Sequence, residues 1–146
     1  MNSSYLSTLI FKPHIVALKV EASCDNTNDG NTSTIRSPNY PNPYLNNEYC
    51  TWKITAPLDI KIEINSFHYS MESSSLCQYD SLKIYDGSTT RSNRKARLCG
   101  RSSYSGMISS SNTLLLIFNS DGSTRYTGFQ LTYSVIGTKS IWIQKI

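Results

Sequence analysis

The chain has 146 residues, a length typical of one domain, and only 16% of them are charged. Aromatic residues make up 11% and Ser, Thr and Asn are abundant, a composition that excludes a coiled coil and a disordered chain. The formal charge of +4 comes from one window of eleven residues without an acid, whose cations are Arg91, Arg94, Lys95, Arg97 and Arg101. Without these five cations the charge falls to −1. A general nucleic-acid binder is therefore excluded, because its basic residues would cover a whole face.

The N-terminal segment, residues 1–23, has some features of a signal peptide. Two apolar runs, 5–11 and 15–20, lie before small residues near Ala22. However, Lys12-Pro13-His14 interrupts the apolar stretch and no basic residue precedes it. We interpret the segment as a poor signal peptide or as part of a longer chain. No run reaches the roughly 20 apolar residues of a membrane helix, so no membrane span is expected.

Short strands separated by turns follow in chain order. A polar loop after residue 24 leads to a short strand around Ile35, and the proline-rich stretch 38–43 excludes a helix. Alternation of apolar and polar residues predicts half-buried strands, and a continuously apolar run predicts a central strand buried on both faces. The alternating strands are 49–56, 60–64 and 129–135, Leu82 and Ile84 mark another that ends at the Asp86-Gly87 turn, and the central strand is 114–118.

No window longer than a few residues has a helical period. Together with the short strands and frequent turns, this predicts an all-β fold: an antiparallel two-sheet β-sandwich or jelly roll. We expect the domain to cover residues 24–135, after the N-terminal segment 1–23 and before a C-terminal tail or linker, 136–146.

The four cysteines point to an oxidising compartment. They are Cys24, Cys50, Cys77 and Cys99, and no spacing is C-x-x-C, which argues against a zinc ribbon or a thioredoxin-type site. The even count and wide spacing favour two disulfides. Four cysteines allow three pairings, and the residues alone do not choose among them. Sequential pairing would close two loops of similar size, each stabilising the fold by roughly 3 kcal/mol.

Two polar loops carry candidate metal ligands. The stretch 72–80 lies between two predicted strands and holds Glu72 and Asp80, and the loop 121–123 holds Asp121 and Ser123. Calcium binds six to eight oxygens, several of them from carboxylates, so the two loops could form two halves of one calcium site. Taken singly, the first loop is better explained as a solvated acidic loop and the second as a plain turn.

An ordered set of motifs resembles the CUB domain family. The first half of a CUB domain resembles the part of this chain with Cys24, Ser37-Pro-Asn-Tyr-Pro41 and Cys50-x-Trp52-x-Ile54. The middle of a CUB domain resembles the part with Cys77-x-Tyr79-Asp80-x-Leu82-x-Ile84-x-Asp86-Gly87. Leu98-Cys99-Gly100, Phe118-Asn-Ser-Asp121 and Gly128-Phe129 complete the resemblance, which runs from residue 24 to about 135.

The resemblance implies a sandwich of two antiparallel sheets with Cys24–Cys50 and Cys77–Cys99 disulfides, in a non-catalytic recognition module that is secreted or lies at the extracellular face of the cell. For the calcium-binding subset it implies Glu72, Asp80, Asp121 and Ser123 as ligands of Ca²⁺, supported by hydrogen bonds from Tyr44. The ordered acidic cluster would then capture an exposed Lys or Arg side chain of a protein ligand. Gly122 stands where the family often has a larger residue.

The sequence also fits two alternative functions. The basic loop 91–101 resembles a heparin-binding pattern, which would make the protein a spermadhesin-like binder of sulfated glycans, although a solvated loop explains it too. The domain could also be a fragment of a larger protease or endocytic receptor. Asn31 and Asn2 are glycosylation acceptors. His14 and His68 have no catalytic spacing and no Gly-x-Ser-x-Gly motif is present, so no enzyme is expected.

Overall fold

A computed structural model describes residues 18–24, 26–28 and 33–137. Within this part of the chain, no helix is long and apolar enough to cross a membrane, and the one helical element is a 3-10 turn, Ser75–Cys77. The strands are β1 Lys19–Ala22, β2 Asn26–Asn28, β3 Ser33–Arg36, β4 Tyr49–Thr55, β5 Lys61–Ile64, β6 Phe67–Ser70, β7 Ser81–Asp86, β8 Asn93–Leu98, β9 Arg101–Tyr104, β10 Met107–Ile108, β11 Thr113–Asn119 and β12 Gly128–Ile136.

The strands form two antiparallel sheets, which confirms the predicted two-sheet sandwich. One sheet has the order β1-β4-β11-β7-β8. The other has the order β10-β5-β12-β3-β2, with β6 paired to β12 and β9 paired to β6. The continuously apolar strand of the sequence is β11, and it lies at the centre of its sheet between β4 and β7, as predicted.

The core lies between the sheets, where inward-facing side chains of both meet. Trp52 on β4, Phe118 on β11 and Phe129 on β12 are fully buried. Phe129 packs edge to face with Trp52 at 6.0 Å and with Phe118 at 5.6 Å between ring centroids. Burial of each such side chain stabilises the fold by roughly 1.5–3 kcal/mol. This aromatic cluster therefore holds the two sheets, and the loops at their ends, in a fixed relative position.

Both disulfides have the pairing that the family resemblance implies. Cys24–Cys50 joins the segment after β1 to β4, and Cys77–Cys99 joins the 3-10 turn to the residue after β8. The second bridge therefore anchors the acidic stretch 72–80 against the end of β8.

The N-terminal part of the described chain contributes to the sheet. Lys19–Ala22, which the sequence analysis assigned to the segment 1–23, form β1 and pair with β4. Val20 lies opposite Ile54 and packs against the core. At the other end, Ile136 is the last residue of β12, so the strand extends one residue into the predicted tail. Asn2, Asn31 and residues 138–146 lie outside the described residues.

The prediction that residues 91–101 form a basic loop is wrong for most of that range. Residues 93–98 form β8, an edge strand, and residue 101 begins β9. Only Ala96 and Leu98 of β8 face the core. Two apolar residues that alternate with cations are too few to identify a strand from the sequence. Charged residues are common on edge strands, because they discourage pairing with another sheet.

Candidate metal centre

The sheet topology brings the acidic residues to one end of the sandwich. Asp80 directly precedes β7, and Asp121 follows shortly after β11. Because these strands are antiparallel neighbours with Ser81 opposite Asn119, the start of β7 and the end of β11 lie together. Glu72 reaches the same place from the segment that follows β6.

The three carboxylates are close enough to share one cation. One oxygen each from Glu72, Asp80 and Asp121 lies within 4.8 Å of the others. Calcium–oxygen distances are roughly 2.4 Å, so two oxygens on opposite sides of one ion are about 4.8 Å apart. Ser123 lies on the same loop as Asp121, and its backbone N–H donates to Asp121 Oδ1 at 3.2 Å. The structure therefore gathers the three carboxylates, and Ser123 contacts this cluster through its backbone N–H.

Tyr44 connects two of the acidic residues. Its ring is fully buried and packs edge to face with Phe118 at 5.1 Å between centroids. Its hydroxyl donates to Asp80 Oδ2 at 2.5 Å and accepts from the Glu72 backbone N–H at 3.1 Å. Burial, followed by the hydrogen bond to Asp80, raises the pKa of Tyr44 well above its ordinary value. The hydroxyl therefore stays protonated and remains a donor to Asp80.

The electrostatics of the cluster are unfavourable without a cation. Asp80 is completely buried, and this burial raises its pKa even though the Tyr44 hydroxyl and the Asp121 N–H donate to it. The pKa of Glu72 is also raised, by burial and then by the charges of Asp121 and Asp80. Three neighbouring carboxylates therefore repel one another, and a bound cation would relieve the repulsion.

One carboxylate oxygen lacks a partner. Glu72 Oε1 is shielded from solvent and accepts no hydrogen bond from the described residues. A buried unpaired oxygen costs free energy, and a metal ion would supply the missing partner. Because the ligand set consists of carboxylate oxygens, it suits a hard cation such as calcium. A second group, Cys24, Glu48 and Cys50, has no such capacity because its two sulfurs form a disulfide.

Residues that the sequence analysis missed hold the two loops in place. The Asn47 N–H donates to the Asp121 carbonyl at 2.8 Å. The Ser120 hydroxyl donates to the Leu45 carbonyl at 2.6 Å, and the Ser120 N–H donates to the Glu48 carbonyl at 3.0 Å. These bonds fasten the segment after Tyr44 to the loop that carries Asp121. No sequence signal distinguishes Ser120 from the many other serines.

The five basic residues of the predicted glycan-binding loop lie on different elements. Arg94 and Lys95 are exposed on β8, whereas Arg91 is in the turn between β7 and β8 and Arg101 begins β9 in the other sheet. Arg97, on β8, is half-buried and its Nη2 donates to the Cys77 carbonyl at 3.3 Å. One continuous basic loop is therefore not present.

The fold and the site together define a disulfide-bonded β-sandwich with a candidate metal centre in the loops at one end. The sequence profile of the CUB domain matches residues 24–133, and the chain belongs to the CUB domain family. CUB domains are non-catalytic protein-interaction modules, although some relatives are proteases in which the CUB domain is an accessory.

Comparison with known proteins places this domain beside parts of much longer chains. It is 38% identical over 104 residues to embryonic protein UVS.2 of Xenopus laevis, covering 70% of this chain and 20% of that protein. It is 33% identical over 114 residues to Tolloid-like protein 1 of Homo sapiens, covering 78% of this chain and 11% of that protein. The chain thus spans a fifth or less of the length of these two relatives.

A solved structure similar to this one contains calcium. It is the MASP-1 CUB2 domain bound to Ca²⁺, which superimposes with a TM-score of 0.62 and is 30% identical. The match covers 70% of this chain and 90% of that chain.

Proposed function

We propose that this domain is a secreted or extracellular protein-binding module whose acidic cluster binds calcium and captures a Lys or Arg side chain of its ligand. The observation that carries the proposal is the convergence of Glu72, Asp80 and Asp121, with one Glu72 oxygen left without a donor. The similarity to a calcium-bound CUB domain supports it. Two disulfides support the extracellular location, because such bonds persist in oxidising compartments.

The three carboxylates would have different tasks. Glu72, Asp80 and Asp121 would hold the ion together with Ser123, and calcium would remove their repulsion and fix the end loops as one surface. Asp80 is fully buried, so its carboxylate can contact the ion but not a ligand protein. Glu72 and Asp121 are half-exposed. Their outward lone pairs can accept charge-assisted hydrogen bonds from an ammonium or guanidinium group.

The test compares two variants that lose the same charge. Glu72→Gln replaces a site carboxylate, and Glu63→Gln removes a carboxylate on β5, in the other sheet. We expect calcium to raise the Tm of the wild type and of Glu63→Gln, with a Kd on the order of 10⁻⁴ to 10⁻³ M by calorimetry, and to have little effect on Glu72→Gln. A wild-type Tm that is the same in calcium and in chelator would contradict the metal site.

Ligand capture is measured separately from metal binding. Retention of the wild type on lysine-agarose and arginine-agarose should require calcium and should fall as NaCl is raised, because partly exposed ion pairs are screened by salt. Calcium binding without retention on either column would keep the metal site and overturn the capture of a basic side chain.

We further propose that the domain acts as one part of a larger extracellular protein, a protease or an endocytic receptor. The small share of the two relatives that the chain spans supports this proposal. Full-length transcript sequencing tests it. We expect an open reading frame that encodes further extracellular domains, and a reading frame that encodes this domain alone would overturn the proposal.

A further inference from the structure

The outer face of the five-stranded sheet carries a pair of cations that the sequence does not reveal. Side chains alternate between the two faces of a strand. Lys83 lies between the core residues Leu82 and Ile84, so it is on the outer face of β7. Arg97 lies between Ala96 and Leu98, which pack in the core, and is directly opposite Lys83 in the register of β7 and β8. The two cations therefore face each other on the outer surface.

This arrangement is electrostatically unfavourable by itself. Residues directly opposite in an antiparallel pair have Cβ atoms roughly 4.5–5.5 Å apart, and like charges in such positions destabilise the sheet. Burial, followed by the charges of Arg97 and Arg94, lowers the pKa of Lys83. Arg94 is opposite Tyr85, so it occupies the next outward position along the same two strands. A bound anion would turn this repulsion into attraction.

No acidic side chain lies on the outer face of β4, β11, β7 or β8. Apart from the cations, the outward residues of these strands are uncharged. Glu21 is on β1, where it lies directly opposite Lys53 of β4 and 4.0 Å from Lys19. Asp86, at the end of β7, faces the other way and accepts a hydrogen bond from the Ser110 N–H. Within these four strands the cations have no counter-charge on their own face.

The guanidinium group of Arg97 supplies a second, independent observation. Its Nη2 donates to the Cys77 carbonyl, but its Nε is shielded from solvent and has no acceptor among the described residues. A buried N–H without an acceptor costs free energy. A guanidinium group presents its N–H groups as a planar fork that matches the oxygens of sulfate and phosphate groups. An oxyanion held between Arg97 and Lys83 would offset the positive charge of both groups.

From this geometry we propose that Lys83, Arg94 and Arg97 form a binding site for the sulfate groups of an extracellular sulfated polysaccharide. Lys53, on β4, is not part of the site, because Glu21 lies directly opposite it on β1. The two disulfides favour a polysaccharide over nucleic acid, because they indicate an oxidising, extracellular environment. The site uses no calcium ligand.

The experiment compares two double variants of the full chain that lose the same charge. Lys83→Gln/Arg94→Gln changes the outer face, and Arg91→Gln/Arg101→Gln changes exposed cations in a turn and in the other sheet. The probe is a fluorescent heparin dodecasaccharide, titrated between about 50 and 200 mM NaCl. We expect Lys83→Gln/Arg94→Gln, the face variant, to lose about tenfold or more in heparin affinity. Its affinity should also depend less steeply on salt, because fewer counterions are released. The control variant, Arg91→Gln/Arg101→Gln, should lose less than about threefold.

Several outcomes would overturn the site. Equal losses in both variants would show that only net charge matters, and absence of binding by the wild type would exclude the polysaccharide. Equal affinity for desulfated heparin would exclude sulfate recognition. Tighter binding to single-stranded DNA or to phosphatidylserine vesicles would assign the face to a different polyanion.

Two further measurements keep the test independent of folding and of calcium. If the face variant fails to fold, acetylation of wild-type Lys83 is followed by mass spectrometry, and heparin should slow it at least about tenfold relative to Lys61 on the other sheet. Unchanged acetylation of Lys83 would overturn the proposal. Heparin affinity should be the same in calcium and in chelator, and loss of affinity in chelator would place the binding at the acidic site instead.

Discussion

The Tyr44 hydroxyl donates a hydrogen bond to Asp80, a residue 36 positions away, and accepts one from the Glu72 backbone. Tyr44 is buried against Phe118, so its ring is held by the core and its hydroxyl position is fixed. A buried carboxylate is thereby oriented by a neutral donor before any ion arrives. Orientation of metal ligands by such outer hydrogen bonds commonly contributes tenfold to a hundredfold in affinity.

Tyr44→Phe tests this relationship, because it keeps the ring and removes only the hydroxyl. We expect a loss of roughly 1–3 kcal/mol in the free energy of unfolding, since Asp80 loses a donor in a buried position. The calcium Kd should rise by about tenfold or more. Chemical denaturation and calorimetry measure the two effects. Tyr49→Phe, at an exposed tyrosine of β4, is the control and should change neither. Equal effects in the two variants would argue against an orienting role for Tyr44.

The stabilisation by calcium should depend on pH. The pKa values of Glu72 and Asp80 are raised in the folded, calcium-free protein, so the folded state holds these protons more tightly than the unfolded chain. Their contribution to stability is therefore fully present below the unfolded pKa values and is lost as pH rises through the folded ones. We expect the increase in Tm caused by calcium to be larger near about pH 7.5 than near about pH 5, where protons compete with the ion.

Calorimetric scans in calcium and in chelator, over a series of buffers, check this dependence. Glu72→Gln should flatten the pH dependence of the chelated protein, because one of the two titrating groups is gone. A calcium-induced increase in Tm that is the same at both pH values would contradict the assignment of these carboxylates to the site.

Two glycines should respond in opposite directions to alanine. Gly122 lacks a positive φ, and an added Cβ would lie 3.7 Å from Asn47 Oδ1, an ordinary contact. Gly122→Ala should therefore stabilise the protein by about 0.4–1 kcal/mol, because it restricts the unfolded chain. Gly128 has a φ of +84° and its added Cβ would collide with Ser37 Oγ, so Gly128→Ala should destabilise by more than about 1 kcal/mol.

Urea unfolding of both glycine variants gives the comparison. Calcium affinity measured on Gly122→Ala then shows whether a side chain at this departure from the family pattern is compatible with the loop of Asp121. Destabilisation of both variants by the same amount would show that the loop at residue 122 is less open than the structure indicates.

The two disulfides should differ in their effect on calcium rather than on stability. They close segments of similar length, with sequence separations of 26 for Cys24–Cys50 and 22 for Cys77–Cys99. Replacing either pair by serine should cost roughly 3 kcal/mol. Cys77 is three residues before Asp80, so only the Cys77→Ser/Cys99→Ser variant should also lose calcium affinity. Equal loss of calcium binding by both variants would mean that the second bridge has no specific role in holding the acidic loop.

Much of the fold could be predicted from hydrophobic pattern. β4, β5 and β12 have regular alternation, and β11 is continuously apolar, so each signals its own burial. β8 could not be predicted, because it is an edge strand with only two inward residues among cations. Alternation identifies strands through the residues that face the core, and an edge strand has few of them.

The candidate site was predictable only through its family resemblance. The spacing of Glu72 and Asp80 suits a solvated loop as well as a metal site, and nothing local in the sequence connects them to Tyr44 or Asp121. Their proximity follows from the antiparallel pairing of β7 with β11. The position of Lys83 is a similar case, because only the register with β8 places it opposite Arg97. Register is a property of two strands together, and neither strand encodes it alone.

β8 leaves one backbone edge of its sheet without a partner strand in the described part of the chain. Arg94 and Lys95 are exposed along that edge, and cations in such a position oppose the approach of a second identical edge. The same cations that attract a polyanion would therefore keep two copies of the domain from joining edge to edge. The concentration at which the protein begins to self-associate should fall when these charges are neutralised. The solubility of the chain therefore depends on β8, the strand that the hydrophobic pattern did not predict.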